Sequence, residues 1–158
     1  MRPARMTLPP FDRLDFLYMP SRDVAAEADD LVRVLGGRLV FAIEAYGTRV
    51  AMIELSPEPP ALLLAGHLDG ERPVLVYRVG DLDATVQALQ ASGWEPEPRF
   101  EIPHGPCCSF HVTGGHRIAV YEPTRPRATE HFAGRRDFEP APPSAAPGGD
   151  VERPRARR

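Results

Sequence analysis

The second half of this 158-residue chain repeats the order of apolar runs, helix-opening acids and turn glycines found in the first half. An alignment of the halves pairs Asp23 with Asp81 and Gly47 with Gly105. Small and apolar residues pair easily by chance, but these pairs join residues with the same expected roles in both halves. The sequence therefore contains an internal repeat, and its fold must be built from two similar units.

The first unit, residues 11–68, has the pattern of a strand, a helix and three strands. Its apolar run 14–19 ends at Pro20, and from Val24 apolar residues recur every three or four positions as far as Gly36-Gly37. That spacing predicts an amphipathic helix, and the glycines predict its end. Three β-type runs follow at residues 38–45, 49–55 and 61–66, with turn-forming residues between them.

The second unit, residues 72–126, repeats this order. Residues 74–79 predict a strand, Asp81 opens a helix, and Gly93 ends it. The runs 97–102, 107–112 and 117–122 supply three further strands. The chain thus has the order βαβββ twice, which predicts one α+β domain over residues 11–126.

The composition removes several kinds of chemistry. The chain has no Lys and no Asn, which excludes Schiff-base chemistry, a lysine general base and an asparagine oxyanion donor. The net charge is -3, and the part before Pro126 is more acidic still, because seven Arg and five acidic residues follow it. An acidic domain argues against a nucleic-acid partner.

The flanking segments have a different composition. Residues 1–10 predict a short flexible lead, and residues 139–158, with five Pro and no aromatic residue, predict a disordered tail. Between the domain and this tail, residues 127–138 place Phe132 and Phe138 on either side of two arginines. This segment is either a docking extension that crosses the cleft or a partner subunit, or a solvated extension with no specific role.

Cysteine usage and hydropathy predict a compartment. Cys107 and Cys108 are adjacent, which is a poor arrangement for an ordinary disulfide, so we expect thiols in a reducing environment. The first residues lack the apolar core of a signal peptide, and no run approaches the roughly 20 apolar residues of a membrane span. We therefore expect a cytoplasmic protein without membrane contact.

Three motifs, in this order, resemble the glyoxalase/bleomycin-resistance/dioxygenase superfamily, which is also called the vicinal oxygen chelate superfamily. They are residues 16–18 leading to Asp23, residues 74–84, and residues 110–123, in which a glycine turn leads into a strand ending at Glu122-Pro123. The resemblance implies a mixed, mainly antiparallel, curved sheet of two βαβββ modules, with helices on its outer face and the ligand on its concave face. It also implies a homodimer.

Members of this superfamily hold a metal ion through His, Gln or Glu in the first, fourth, fifth and eighth strands. Carried onto this chain, those positions fall at residues that cannot bind a metal, namely Phe16, Ala61 or Leu62, Val74 and Ala119. Asp15 and Glu122 lie one and three residues away, and alternation along a strand predicts that both point away from the concave face. We therefore expect no metal and no cofactor.

The same alternation predicts an apolar, aromatic-lined cleft on the concave face, which would suit a planar or hydrophobic small molecule. We expect ligand contacts from Phe16, Tyr18, Ile53, Leu63, Val76, Ser109, His111 and Tyr121, on a face that also carries Ala51, Val74 and Ala119. The alternative is that these residues fill a core or a dimer interface.

Three functions remain open. The first is a metal-independent protein that binds a hydrophobic or aromatic compound, similar to bleomycin-resistance proteins, which sequester their ligand. The second is a glyoxalase-like lyase or isomerase in which His111, beside Tyr18 or Tyr121, is a general base. The third is a ligand-free module that binds another protein. His111 also has a purely structural interpretation, and the adjacent cysteines are expected to face opposite sides of the sheet as buried, unreactive thiols.

Overall fold

The computed structural model describes residues 10–143, and the predicted lead and tail fall largely outside that range. The first module contains strand β1 (Arg13–Pro20), helix α1 (Val24–Asp29), and strands β2 (Arg38–Ala45), β3 (Thr48–Glu54) and β4 (Ala61–Ala65). The second module contains β5 (Val74–Arg78), α2 (Leu82–Ala91), β6 (Phe100–Ile102), β7 (Gly105–His111) and β8 (Arg117–Tyr121). A short helix, α3 (Ala128–Phe132), follows.

All eight strands form one sheet, in the order β2-β3-β4-β1-β5-β8-β7-β6. β1 and β5 are antiparallel neighbours at the centre, and each pairs in parallel with the last strand of its own module. The remaining pairs are antiparallel. This arrangement confirms the predicted fold class of two βαβββ modules in a mixed sheet.

The helix-opening acids have the same function in both modules. The Asp23 carboxylate accepts a hydrogen bond from the backbone nitrogen of Ala26 at 3.0 Å, and Asp81 accepts one from Ala84 at 2.9 Å. Each such cap stabilises a helix by about 1 kcal/mol. The first helix then widens into a π-helical segment over Asp30–Val34. Leu35, the last apolar residue of the periodic pattern that begins at Val24, is 64% exposed.

Gly47 and Gly105, paired in the repeat, have different roles. Gly47 has a φ of 73° in the turn between β2 and β3, a conformation that glycine adopts at little cost. Gly105 begins β7, where a Cβ atom would lie only 1.9 Å from the carbonyl oxygen of Glu122. The second glycine is therefore required by the close approach of two backbone segments.

Apolar side chains form a core on each face of the sheet. Both modules contribute to the concave core, which includes Phe16, Met52 and Tyr121. On the other face, α1 covers one cluster and α2 covers another, which includes Cys108 and packs against Trp94. Cys107 lies in the concave core, so the adjacent thiols are buried on opposite faces.

The predicted orientation of β3 is wrong. Ala51 and Ile53 were expected on the concave face, but both pack beneath α1. Met52 takes the concave position because it lies directly opposite Leu63 of β4, and residues paired in this way share a face. A one-residue difference in register exchanges the two faces of a strand.

Residues 127–138, which we call the C-terminal strap, connect the end of the second module to the outer strand of the first. The backbone nitrogen of Gly134 donates to Val40 at 2.8 Å, Ala42 donates to Arg135 at 2.9 Å, and Asp137 donates back to Ala42 at 2.8 Å. These bonds cover the otherwise open edge of β2. Within residues 10–143, no helix has the length and apolarity to cross a membrane.

Candidate functional site

The centre of the concave face is filled by its own side chains. Of the eight predicted ligand contacts, seven are at most 5% exposed. One of them, Ile53, lies on the other face beneath α1, and the other six are Phe16, Tyr18, Leu63, Val76, Ser109 and Tyr121. Phe16 and Tyr121 pack with ring centroids 5.6 Å apart, and Tyr18 stacks on Phe100 at 5.9 Å. Leu63, Val76 and Ser109 line none of the three cavities described below. The centre has the packing of a core, and the open space lies around it.

The first of these cavities, which we call the hairpin cavity, has a volume of about 770 Å³ and lies between the β2–β3 hairpin and the C-terminal strap. Its walls are mostly apolar and include Ile43, Ala45, Val50, Pro103, Ala128 and Phe132. Cavities of this size and character hold drug-sized ligands in other proteins. None of the eight predicted ligand contacts lines it.

The strap makes the outer wall of the hairpin cavity. Phe132 of α3 packs against Phe41 of β2, with ring centroids 5.8 Å apart. Below it, Asp137 accepts a hydrogen bond from the backbone nitrogen of Glu44 at 2.9 Å, and it also pairs with Arg135. These contacts hold α3 over the hairpin, so the cavity depends on a segment outside the repeated modules.

A short chain of hydrogen bonds joins the filled centre to the hairpin cavity. The buried Tyr18 hydroxyl lies 2.7 Å from Nε2 of His67, and Nδ1 of His67 lies 3.2 Å from the Thr48 hydroxyl. Burial raises the pKa of Tyr18 well above its usual value, so its hydroxyl stays protonated. His67 and Thr48 both line the cavity and give it polar groups that could orient a ligand.

A second, smaller cavity of about 230 Å³ lies near the start of β1, and we call it the Asp15 pocket. The expectation that Asp15 points away from the concave face is wrong. A bulge between Leu14 and Phe16 interrupts the pairing of β1 with β5, and it turns the Asp15 carboxylate toward Tyr121. A bulge adds one residue to a strand and so breaks simple alternation.

Three donors converge on the buried Asp15 carboxylate. The Tyr121 hydroxyl donates to Oδ2 at 2.5 Å, Arg78 donates to Oδ2 at 2.9 Å, and Arg13 donates to Oδ1 at 2.5 Å. Burial raises the pKa of Asp15, but these hydrogen bonds outweigh it and hold the pKa below its usual value. Burial, and then the bond to Asp15, raise the pKa of Tyr121. The pair is therefore a carboxylate and a neutral phenol.

His104 closes the Asp15 pocket on one side. Its ring packs against Phe16 with centroids 4.6 Å apart and the planes tilted by 33°, and its Nε2 lies 2.6 Å from the Thr129 hydroxyl of the strap. Burial lowers the pKa of His104 to about 4, so the ring is neutral at pH 7. Its Nδ1 is buried and has no hydrogen-bond partner within the part of the chain described.

The third cavity, about 570 Å³, lies beside β7 and contains His111; we call it the His111 groove. Nδ1 of His111 is 3.2 Å from the Glu97 carboxylate, which also lies 3.4 Å from Nε of Arg117. Ser109 is buried beneath them and donates to Glu97 at 3.2 Å. His111 is thus placed in an ordered polar cluster at the surface, with Tyr18 and His67 also lining the groove.

Solved structures with the same architecture identify the fold of this chain. Methylmalonyl-CoA epimerase from Mycobacterium tuberculosis superposes with a TM-score of 0.64 at 23% identity, over 79% of this chain and 98% of the epimerase. A hypothetical protein from Bacillus halodurans C-125 gives 0.60 at 15% identity, over 70% and 93% of the two chains. Catechol 2,3-dioxygenase gives 0.51 at 15% identity, over 70% of this chain and 40% of the enzyme. This chain has the vicinal oxygen chelate fold.

At the level of sequence, neither a protein-family model nor a curated protein matches the chain. Its likeness to other proteins of the vicinal oxygen chelate fold therefore lies in the path of the backbone. That likeness describes architecture, whereas the chemistry of this chain depends on its own side chains.

The metal positions of the vicinal oxygen chelate fold do not fit a metal ion here. The side chains at those positions are hydrocarbon and aromatic, namely Phe16, Ala61 or Leu62, Val74 and Ala119. A catalytic divalent ion needs about three protein ligands at one point. Among residues 10–143 there is no group of three or more His, Cys, Asp or Glu side chains that could supply them.

Several residues of these cavities were not foreseen. His67 follows β4 in a turn and His104 lies in the turn before β7, and neither has a sequence signal beyond its residue type. The strap residues were noticed as a docking segment, but their contact with the β2 edge depends on distant backbone groups. The cysteines agree with expectation: both are free and buried, and burial raises the pKa of Cys107 and of Cys108, which disfavours the reactive thiolate.

Proposed function

We propose that this protein binds a hydrophobic or aromatic small molecule in the hairpin cavity, without a metal ion. The cavity itself supports this function, because it offers about 770 Å³ between apolar walls. Burial of a ligand's apolar surface there would supply the binding free energy, at roughly 25 cal/mol per Å² before the costs of association. His67 and Thr48 would orient the ligand through hydrogen bonds.

The ligand site proposed here differs from the one expected from alternation. The expected contacts on the central strands are packed against one another, whereas the hairpin cavity lies between the first module and the strap. A ligand would thus contact a β-hairpin on one side and Phe132 on the other. Because the strap forms one wall, the affinity should depend on α3 as well as on the sheet.

A fluorescent probe tests this proposal. N-phenyl-1-naphthylamine is an uncharged aromatic compound whose emission rises in apolar surroundings, and we expect saturable binding to the wild-type protein. Ala45→Phe would fill part of the cavity and should weaken binding by about tenfold, the equivalent of 1.4 kcal/mol. Ala91→Phe, at an exposed position at the end of α2, is the matched control. Equal affinity of both variants and the wild type would refute the proposed site.

The His111 groove supports a second candidate, an enzyme of the isomerase or lyase type. If Nδ1 of His111 donates to Glu97, then Nε2 is free to accept a proton from a substrate, and Arg117 is near enough to the cluster to stabilise a developing negative charge. One structural neighbour is a methylmalonyl-CoA epimerase. Methylmalonyl-CoA is therefore a suitable test compound for proton abstraction.

Exchange of the C2 proton of methylmalonyl-CoA for solvent deuterium, followed by NMR, tests this candidate. We expect His111→Ala to reduce exchange by about 100-fold or more, and His116→Ala, in the neighbouring turn, to leave it unchanged. Absence of any exchange above the uncatalysed rate, or full activity of His111→Ala, would remove the candidate for this substrate.

The homodimer implied by the resemblance stays a prediction, which light scattering coupled to size-exclusion chromatography would test.

A further inference from the structure

The Asp15 pocket is separate from the hairpin cavity, and Pro126 alone lines both. It differs in character too, because charged and polar side chains surround it. On one side lie Arg13 and Arg78, and on the other lies the loop that carries Glu58. The two walls offer opposite charges to any molecule between them.

The wall formed by Arg13 and Arg78, which we call the cationic wall, can still bind a ligand after both arginines have bonded to Asp15. Arg13 and Arg78 both donate to Asp15 through Nε, so their terminal guanidinium nitrogens can reach a further acceptor. Their side chains are 52% and 39% exposed. Since two guanidinium groups face one carboxylate, this wall carries an excess positive charge that would attract a ligand carboxylate.

The acidic wall is the loop between β3 and β4. Glu54 at its start already pairs with Arg38 at 2.8 Å. Glu58 also lines the pocket, and it makes no ion pair with any residue in the range 10–143. The loop is anchored by the Ser56 hydroxyl, which donates to the carbonyl oxygen of Glu58 at 2.9 Å. A cationic group in the pocket would be the natural partner of the Glu58 carboxylate.

A buried group at the pocket wall also lacks a partner. His104 is only 6% exposed, it lines the pocket, and its Nδ1 has no hydrogen bond within the described residues. Nearly all buried polar atoms in proteins are hydrogen-bonded, so an orphaned atom beside a cavity points to a ligand or a water that completes it. The space, about 230 Å³, corresponds to roughly eight waters at ~30 Å³ each.

We propose that the Asp15 pocket is a second binding site, for a small zwitterion such as a short-chain α-amino acid. The ligand carboxylate lies against Arg13 and Arg78, and the ammonium group lies against Glu58, with His104 bonded to one of its polar groups. The Tyr121 hydroxyl and Asp15 hold the arginines in place and do not need to move. This site does not depend on the proposed function of the hairpin cavity.

The test compares L-alanine with two smaller compounds that each lack one of its charged groups. L-alanine carries both charges, propionate lacks the ammonium group, and ethylamine lacks the carboxylate. Titration of the full-length protein in two-dimensional ¹H–¹⁵N NMR spectra should show saturable shifts with L-alanine at residues around the pocket, including Ser56 and Thr129. Propionate and ethylamine should bind at least about tenfold more weakly, because each loses one charge-assisted contact.

Two exposed substitutions locate the site. Glu58→Gln and Arg13→Gln should each weaken L-alanine binding by about fivefold or more, the effect of losing one charged hydrogen bond. Glu71→Gln and Arg22→Gln are matched controls, because these two exposed side chains pair with each other at 3.8 Å and neither lines the pocket. Absence of saturable shifts, equal binding of propionate, or equal loss in the control variants would each overturn the proposal. None of these results would affect binding of N-phenyl-1-naphthylamine to the hairpin cavity.

Discussion

The Tyr18 hydroxyl lies 2.7 Å from Nε2 of His67, and this hydrogen bond connects the filled centre of the sheet to the wall of the hairpin cavity. Tyr18 is 1% exposed and stacks on Phe100, so its ring cannot turn its hydroxyl to solvent without disturbing the core. The same imidazole reaches Thr48 in the hairpin. His67, which lies in a turn, is therefore the hydrogen-bond partner of the buried Tyr18 hydroxyl and also forms part of the wall of the hairpin cavity.

We predict that His67→Ala lowers the free energy of unfolding by about 1–3 kcal/mol, because it leaves the buried Tyr18 hydroxyl without a partner. In a Tyr18→Phe background the same substitution should lower the free energy of unfolding by much less, since the hydroxyl is then absent. Urea unfolding of the two single variants and the double variant measures this coupling. If the losses of unfolding free energy in the two single variants add up to the loss in the double variant, the hydrogen bond contributes no stability. His116→Ala, at an exposed turn, should lie within about 0.5 kcal/mol of the wild type.

The pH dependence of stability should depend on His104. Its pKa in the folded protein, about 4, lies below the usual value of 6.5, because burial disfavours the imidazolium ion. Protonation therefore favours the unfolded chain. The stability associated with neutral His104 is fully present above about pH 6.5 and falls as the pH drops toward 4, by roughly 2–3 kcal/mol in total.

Chemical unfolding at a series of pH values between 7 and 4 tests this prediction. His104→Gln should remove most of the loss between pH 6.5 and 4, although it lowers stability at pH 7 by disturbing the contact with Thr129. His116→Gln is the control and should keep the wild-type slope. An unchanged slope in His104→Gln would mean that another group is responsible.

Substitution of Gly105 tests the close approach of β7 to the segment after β8. A Cβ atom at this position would overlap the carbonyl oxygen of Glu122, which is backbone and cannot rotate away. We expect Gly105→Ala to destabilise the protein by about 3 kcal/mol. Gly80→Ala is the matched control, because a Cβ atom there meets nothing within 4 Å, and it should be nearly neutral. Thermal unfolding measures the melting temperature of each variant, and Gly105→Ala should melt at a lower temperature than Gly80→Ala. Similar melting temperatures would contradict the prediction.

The order of strands and helices could be predicted because the two modules have local signals that agree. Asp23 and Asp81 open helices in equivalent places, and both accept the expected backbone hydrogen bond. Turn residues separate the apolar runs, so each strand could be located to within a few residues. The resemblance to a known superfamily added the curvature of the sheet, which local patterns do not contain.

The site was harder to predict because it depends on register and on distant contacts. A bulge turns Asp15 inward, and a one-residue difference in β3 exchanges Met52 with Ile53. Neither the bulge nor the register of β3 can be recognised from the alternation of apolar and polar residues. The filling of the centre by Tyr18 and Phe100 follows from three-dimensional packing between modules. The hairpin cavity also requires the strap, whose partner groups are backbone atoms of β2.

The most direct test of the proposed ligand site is to locate bound N-phenyl-1-naphthylamine by isotope-filtered NMR. The hairpin cavity predicts intermolecular NOEs from the probe to the methyl groups of Ile43, Val50 and Ala128. The competing location is the exposed apolar surface at the end of the first helix, formed by Val34, Leu35 and Leu55. NOEs to the first set would support a ligand site between the hairpin and the strap. NOEs confined to the second set would contradict it.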